Sequence, residues 1–352
     1  MYDIAIIGLG PAGATLARLL PKHLKVIAID KKVGCDALGT PLFRKPCGGL
    51  LAPDAQKFLS QFDLSLPKSV LADPQIFSVR TIDFGTGITR YYPRFYINMN
   101  RHKFDLWLMS LIPEHVEVLE NTRCAGINRE NNLWSIDCVS GENHREIKAK
   151  YIVGADGANS LVRRKVCPEF KIRSYLAIQQ GFKSTDEKSY YLSVFDRKIT
   201  DCYAWGLNKD GVFVFGGAFP RKEVKARFNS LKQKAESFGF DLKNPLYTEA
   251  CIVNRPANPF QFCPVRKNAF FIGEAAGFIS PSSLEGISRA MESAYLLSRA
   301  LKNPEPAREY RRLSRKITFG LTLKLLKCPF MYSPVLRSMV MKSGIMSIKM
   351  KG

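Results

Sequence analysis

The sequence predicts an α/β fold in which a parallel sheet with glycine-rich turns carries an inserted antiparallel β-sheet and a helical C-terminal tail. Three observations support it. Apolar, β-branched runs end in the turns Gly8-Leu9-Gly10-Pro11-Ala12-Gly13, Gly154-Ala155-Asp156-Gly157 and Gly273-Glu274-Ala275-Ala276-Gly277. Between the second and third of these, residues 172–219 change to a period of two, the signature of strands with two different faces. Beyond Pro306, apolar residues alternate with Arg and Lys at helical spacing.

The first turn is the most informative. Ile4–Ile7 is continuously apolar, as a strand buried on both faces must be. Gly8 permits a tight turn, Gly10 lets the backbone approach a pyrophosphate, and Gly13 lets the next helix pack on the strand. Pro11 and Ala12 open that helix, whose free N–H groups and dipole favour phosphate. A second apolar strand, Val26–Ile29, ends in Asp30, about 20 residues on, where an acid accepts hydrogen bonds from a ribose. This is a Rossmann-type dinucleotide-binding start.

The remaining elements follow in order. Lys31–Arg44 reads as a broken polar loop leading into Lys45-Pro46-Cys47-Gly48-Gly49, whose adjacent glycines mark a special backbone path. Ala55–Phe62 reads as a helix, and Ile76–Ile82 and Thr89–Ile97 as strands. Arg101 opens a helix that presents Phe104, Leu108 and Leu111 on one face. Tyr151–Val153 leads into the second glycine turn, and the antiparallel strands Tyr175–Phe182, Tyr190–Phe195, Cys202–Leu207 and Val212–Phe215 follow. A helix over Lys222–Phe238 comes next, then the strand Ala269–Ile272, the third turn, and a helix after Gly286-Ile287.

Bulk properties narrow the class. With 352 residues, 46% hydrophobic and 11% aromatic, the chain can build two cores. Its nine cysteines are scattered without a CxxC, which fits reduced thiols in a cytoplasmic protein and not a disulfide framework or a zinc site. No signal peptide and no spanning apolar run is expected, and no metal site. The formal net charge is +22, and from Arg308 onward eleven Lys and Arg stand against the single acid Glu309. Such a field attracts polyanions. The apolar character of the tail favours an anionic membrane surface over nucleic acid.

Taken together, the three turns in the order GxGxxG, GADG, GEAAG resemble the flavoprotein monooxygenase superfamily with the para-hydroxybenzoate hydroxylase fold. Lys45-Pro46-Cys47-Gly48-Gly49, Tyr203-Ala204-Trp205-Gly206-Leu207 and Gly273–Pro281 with Glu285-Gly286-Ile287 look, within it, like geranylgeranyl-reductase-type flavoproteins. The resemblance implies bound FAD. Its pyrophosphate would lie on Gly8, Gly10, Pro11, Ala12 and Gly13, with Asp30 and Lys31 at the ribose and Arg101 near the phosphates. Asp156 and Gly157 match the second acid turn, and Gly273, Glu274, Gly286 and Ile287 match the flavin-contacting turn, although Glu274 replaces the family's usual Asp. Cys47 and Gly48 would lie at the flavin edge. An FAD-binding domain of residues 1–72, 98–170 and 265–302, a substrate domain of 73–97 and 171–264, and a basic helical segment of 303–352 are expected.

Function follows from the same residues. No second GxGxxG is present, so electrons would come from transiently docked NAD(P)H or another donor. Reduction of C=C bonds in an isoprenoid or related lipid is the leading expectation, with Cys47 as proton donor and Tyr203 and Trp205 as walls of a substrate pocket. Packing alone also accounts for all three side chains. A hydroxylase, or a flavin-binding membrane-surface protein without turnover, are the alternatives. Arg308, Arg311, Arg312 and Arg315 would share one helix face, followed by the apolar Ile317–Leu326 until Pro329 and Pro334 interrupt it. Such a tail would lie in a membrane interface, placing the protein at the inner face of the membrane.

Overall fold

A computed structural model describes residues 1–31, 46–184 and 188–349. The loop expected over 31–44, apart from Lys31, and Lys45 of the Lys-Pro-Cys-Gly-Gly motif lie outside the described residues. The chain forms two compact units, the first of Met1–Arg44, His102–Arg173 and Asn254–Leu323, the second of Lys45–Arg101, Ser174–Val253 and Lys324–Gly352.

The first unit is built on an eight-stranded sheet. Its centre is parallel: Ala269–Phe271, Asn143–Gly154, Tyr2–Ile7, Val26–Ile29 and Val116–Leu119, side by side in that order. The N-terminal half of Asn143–Gly154 also pairs antiparallel with Leu133–Ser140, which pairs with Arg123–Glu130. Side chains alternate between two cores. Ala5, Ile7, Ile27, Ile29 and Ile152 pack with Val162, Ile317 and Leu321 on one side. Ile4, Ile6, Val26, Ala28 and Val153 pack with Leu16, Leu297 and Tyr310 on the other. Burial on both faces is why these strands read as unbroken apolar runs.

The second unit holds another eight-stranded sheet. The strands Tyr247–Asn254, Ser174–Lys183, Val212–Phe219, Ala204–Lys209, Tyr190–Phe195, Ile76–Asp83, Thr89–Asn98 and Leu50–Leu51 follow one another across it. One pairing departs from the antiparallel expectation, since Tyr190–Phe195 runs parallel to Ile76–Asp83. These two strands come from separate excursions of the chain, so no hairpin fixes their relative direction. The helix Val224–Glu236 lays Val224, Phe228, Leu231 and Ala235 on one face of this sheet, against Leu192, Ala204 and Phe215.

The units divide the chain differently from the expected domains. Residues 46–72 join the second unit, where Leu50 and Leu51 pair with Asn98 and Ile97. Residues 254–264 join the first unit, where Arg255 N–H donates to Arg173 O and its Nε to Pro281 O. The basic tail is not a separate segment. Tyr310, Ile317 and Leu321 are fully buried in the first unit, and residues from Lys324 onward belong to the second. Nor does Pro329 interrupt it: one helix runs Pro306–Tyr332 and the next, Pro334–Ser343, starts with Pro334. Pro329 stands in the final turn, where a proline removes only one N–H from the ladder, and Pro334 takes the first helical position, where proline is favoured.

Candidate functional site

Three adjacent parallel strands end in register: Ile7 and Phe271 both lie opposite Gly154. The glycine turns therefore leave the same edge of the first sheet side by side, the edge where open parallel sheets bind ligands. A Cβ on Gly8, whose φ is +98°, would lie 2.7 Å from Ala155 O, so the first turn touches the second. A Cβ on Gly273 would lie 3.1 Å from Ala12 Cβ, so the first helix touches the third turn.

The glycines of the first turn have separable reasons to be glycine. A Cβ on Gly13 would sit 1.8 Å from Gly8 O, so the helix Pro11–Leu19 can pack on the turn only without it. Gly10 is different, with φ −68° and nothing within 4 Å of where a Cβ would be. The protein itself does not require a glycine there. The space in front of it, beside a helix start with Pro at its first turn and no side-chain cap, fits a phosphate group. Asp30 is buried at the end of Val26–Ile29, and its Oδ2 accepts the Leu9 N–H. One carboxylate oxygen thus orders the glycine turn, and Lys31 follows it at the surface.

In the second turn Asp156 Oδ2 accepts the N–H groups of Leu161 at 2.6 Å and Val162 at 3.2 Å, while Oδ1 is buried without a partner among the described residues. Burial raises its carboxyl above the ordinary range. Gly157 adopts φ +74°. In the third, Glu274 Oε1 accepts the Asn254 N–H at 2.8 Å, a contact that uses the extra methylene relative to Asp. Gly286 precedes the helix Ile287–Ala300, whose N-terminus carries no side-chain cap.

Two residues not singled out in the sequence bind these turns together. Arg163 donates from its two terminal nitrogens to Ala275 O and Ala158 O, at 2.8 and 2.5 Å. Asn254 Nδ2 donates to Ala158 O and Glu274 O, both at 3.2 Å. Both side chains are buried. Burial lowers the Arg163 guanidinium, and the nearby Asp156 and Glu274 oppose that shift. Arg163 has as its sequence signal only a place shortly after Gly157, which surface residues supply as often, and Asn254, far from any glycine turn in the sequence, has none.

The second unit brings together another group. Tyr203, Trp205 and Leu207 alternate onto one face of the sheet and are all buried. On the opposite face Ala204 lies in the core, and a Cβ on Gly206 would meet Phe213 at 2.7 Å, so small residues let that layer close. Trp205 Nε1 donates to Gln179 Oε1 at 3.3 Å, and the Tyr203 and Trp205 rings meet edge-on at 5.9 Å. Burial pushes the Tyr203 phenol well above its ordinary value. Gly48 lies against Leu207, 3.8 Å from the position a Cβ would take. Cys47 is half-buried beside it, its Sγ accepting the Gly49 N–H at 3.4 Å.

Lys209 secures that turn. From the same strand face, its Nζ donates to the carbonyls of Gly48, Gly49 and Met99 at 2.8, 3.3 and 2.6 Å. All three donors of the ammonium are matched. Burial lowers it to about 8, and Cys47 pulls in the other direction. Gly49 must be glycine, with φ +63° and a Cβ that would collide with Lys209 Nζ and Met99 O. Arg101 opens the helix Arg101–Ser110 directly after Met99 and Asn100. No group of three or more His, Cys, Asp or Glu among the described residues is placed to hold a metal.

Residues 98–223 match the family described as FAD binding domain. The fold is shared with solved structures. A geranylgeranyl bacteriochlorophyll reductase-like protein from Thermoplasma acidophilum superposes with TM-score 0.75 at 18% identity, over 97% of this chain and 98% of that one. The p-nitrophenol 4-monooxygenase PnpA from Pseudomonas putida gives TM-score 0.73 at 16% identity, over 97% and 93%. Fold and family match thus define a protein with an FAD binding domain. Protein CbrA of Escherichia coli O9:H4 (strain HS) is 49% identical over 349 residues, 99% of this chain and 94% of the relative. The chain belongs to the CbrA family.

Proposed function

We propose that this protein is an FAD-dependent reductase of C=C bonds in an isoprenoid or related lipid. The observation that carries the reading is that the Cys47 turn, fixed by Lys209, lies against Leu207 of the buried strand face that also carries Tyr203 and Trp205. The fold shared with a geranylgeranyl bacteriochlorophyll reductase-like protein supports the substrate class.

Residues of the first unit fit the cofactor. The open space at Gly10 would take the pyrophosphate with Pro11 and Ala12, and Asp30 and Lys31 would meet the ribose. The unpartnered Asp156 Oδ1, with Gly157, offers an acceptor near the nucleotide. Gly273, Glu274 and the uncapped N–H groups after Gly286 and Ile287 would face the flavin. FAD, when bound, supplies the hydride, and transient NAD(P)H or another donor restores it.

An isolated alkene is not electrophilic, so hydride addition at one carbon needs a proton at the other. In this reading Cys47 would give its thiol proton and recover one from water, while the Tyr203–Leu207 face would keep the alkene dry. A hydroxylase on the same fold is the second reading, favoured by the likeness to a nitrophenol monooxygenase. The test is anaerobic: reduced flavoprotein is mixed with polyprenyl compounds and flavin reoxidation is followed. Reoxidation with a saturated product supports the reductase. Product formed only with coupled oxygen consumption supports the hydroxylase, and no product under either condition leaves a flavin-binding protein without turnover. In the reductase case Cys47→Ser retains FAD and slows reoxidation about 10²–10⁴-fold; turnover at the parental rate removes Cys47 from the chemistry.

A further inference from the structure

The helix Pro306–Tyr332 has one buried and one bare face. Ile317 and Leu321 are fully buried, whereas Phe319, Leu323, Leu326 and Phe330, at i, i+4, i+7 and i+11, are exposed along a single stripe. Arg308, Arg312 and Arg315 extend that stripe toward the N-terminus at the same spacing. In the second unit the exposed apolar residues go on through Val335, Met339, Ile345 and Met346, the last 82% exposed. Lone exposed apolar side chains are ordinary, but this is a run of them.

The charges on this stretch have one sign. Between Tyr310 and Lys349 there is no Asp or Glu, and Lys327, Lys342 and Lys349 are exposed among the apolar side chains. Two other cations of the tail are withdrawn: Arg337 is buried against Asp83, and Lys324 lies 3.9 Å from Asp54. A face of this kind is poorly suited to a second copy of itself, which would set lysine among lysines. Phosphate binding on nucleic acid would not require the apolar residues. No helix of the described residues is long and apolar enough to cross a membrane.

We propose that the exposed face of residues 326–349 docks on an anionic lipid surface. Leu326, Phe330, Met339 and Met346 enter the boundary between headgroups and acyl chains, and Lys327, Lys342 and Lys349 lie among the headgroups. The inference goes beyond the redox reading and does not rest on it, because its readout is flotation and not turnover.

The experiment is vesicle flotation of the full chain, with phosphatidylcholine vesicles of graded phosphatidylglycerol content at low and high salt. Truncation is unsuitable, since Tyr310, Ile317, Leu321 and Arg337 are buried. The triple variants Leu326→Gln/Phe330→Gln/Met339→Gln and Lys327→Gln/Lys342→Gln/Lys349→Gln alter exposed side chains only, and unchanged thermal unfolding verifies their fold. Parental binding that rises with anionic lipid and falls with salt is expected. It should weaken about fivefold per lysine removed and vanish in the apolar variant. Absence of parental binding at low salt, or binding of either variant equal to the parental, overturns the proposal. So does a parental dimer in sedimentation without lipid that the apolar variant dissociates, since the face then belongs to a second copy.

Discussion

Lys209 Nζ donates to the carbonyl of Gly48 at 2.8 Å, tying the turn that carries Cys47 to the strand that carries Trp205. The same ammonium serves Gly49 and Met99, so Lys209→Met takes their donor from the Gly48 and Met99 carbonyls, while Gly49 O keeps the Met99 N–H. The expected cost is about 2–3 kcal/mol in urea unfolding, less than three lost bonds because burying an ammonium is itself unfavourable. A pH signature accompanies it. The folded group titrates near 8 and the unfolded one near 10.5, so between these values the unfolded chain holds the extra proton. Its contribution to stability is therefore present above pH 10.5 and lost as pH falls through 8. Lys209→Met should abolish that part of the stability–pH curve; an unchanged slope would show that the amine titrates normally.

Gly10 and Gly13 separate binding from folding. Gly10→Val places its side chain in open space at an ordinary φ, so unfolding of the FAD-free protein should move by less than about 0.5 kcal/mol. Flavin retention, read from absorbance after gel filtration, should be lost. Gly13→Ala drives its Cβ into Gly8 O and should fail to fold stably. Full flavin retention by Gly10→Val would move the pyrophosphate away from this turn.

Arg163 and Asn254 should behave as a pair that holds the turns. Arg163→Met strips Ala275 O of its donor and leaves Ala158 O with Asn254 Nδ2 alone, at about 1–3 kcal/mol. Asn254→Leu removes the donor to Ala158 O and Glu274 O, with a smaller cost. Either donor alone keeps Ala158 O bonded, so only the double variant orphans that buried carbonyl and should lose more than the sum of the two single losses. Strict additivity in chemical denaturation would argue against the shared anchor.

The tail should prove part of the folded core. Arg337 Nε lies 2.8 Å from Asp83 Oδ2, both side chains are buried, and its Nη1 donates to Met331 O. Arg337→Met leaves the Asp83 carboxylate uncompensated and should cost about 3–5 kcal/mol, whereas the double variant with Asp83→Leu should recover much of it. Stability unchanged in the single variant would mean that the helix Pro334–Ser343 is not anchored through this pair.

What the sequence determined alone was what local chemistry dictates. The unbroken apolar runs of Ile4–Ile7 and Val26–Ile29 fixed buried parallel strands, and the spacing of Gly8, Gly10 and Gly13 fixed the turn between them. The alternation of Tyr203, Trp205 and Leu207 against Ala204 and Gly206 fixed the two faces of a strand. Tertiary structure decided whatever depends on partners distant along the chain. Glu274 meets Asn254 twenty residues away, and Lys209 meets Gly48 one hundred and sixty-one away. It decided also that Arg337 turns inward while Lys342 stays in water. Lysine and arginine read alike along a basic tail, and only a buried carboxylate such as Asp83 makes it favourable to take one of them out of water.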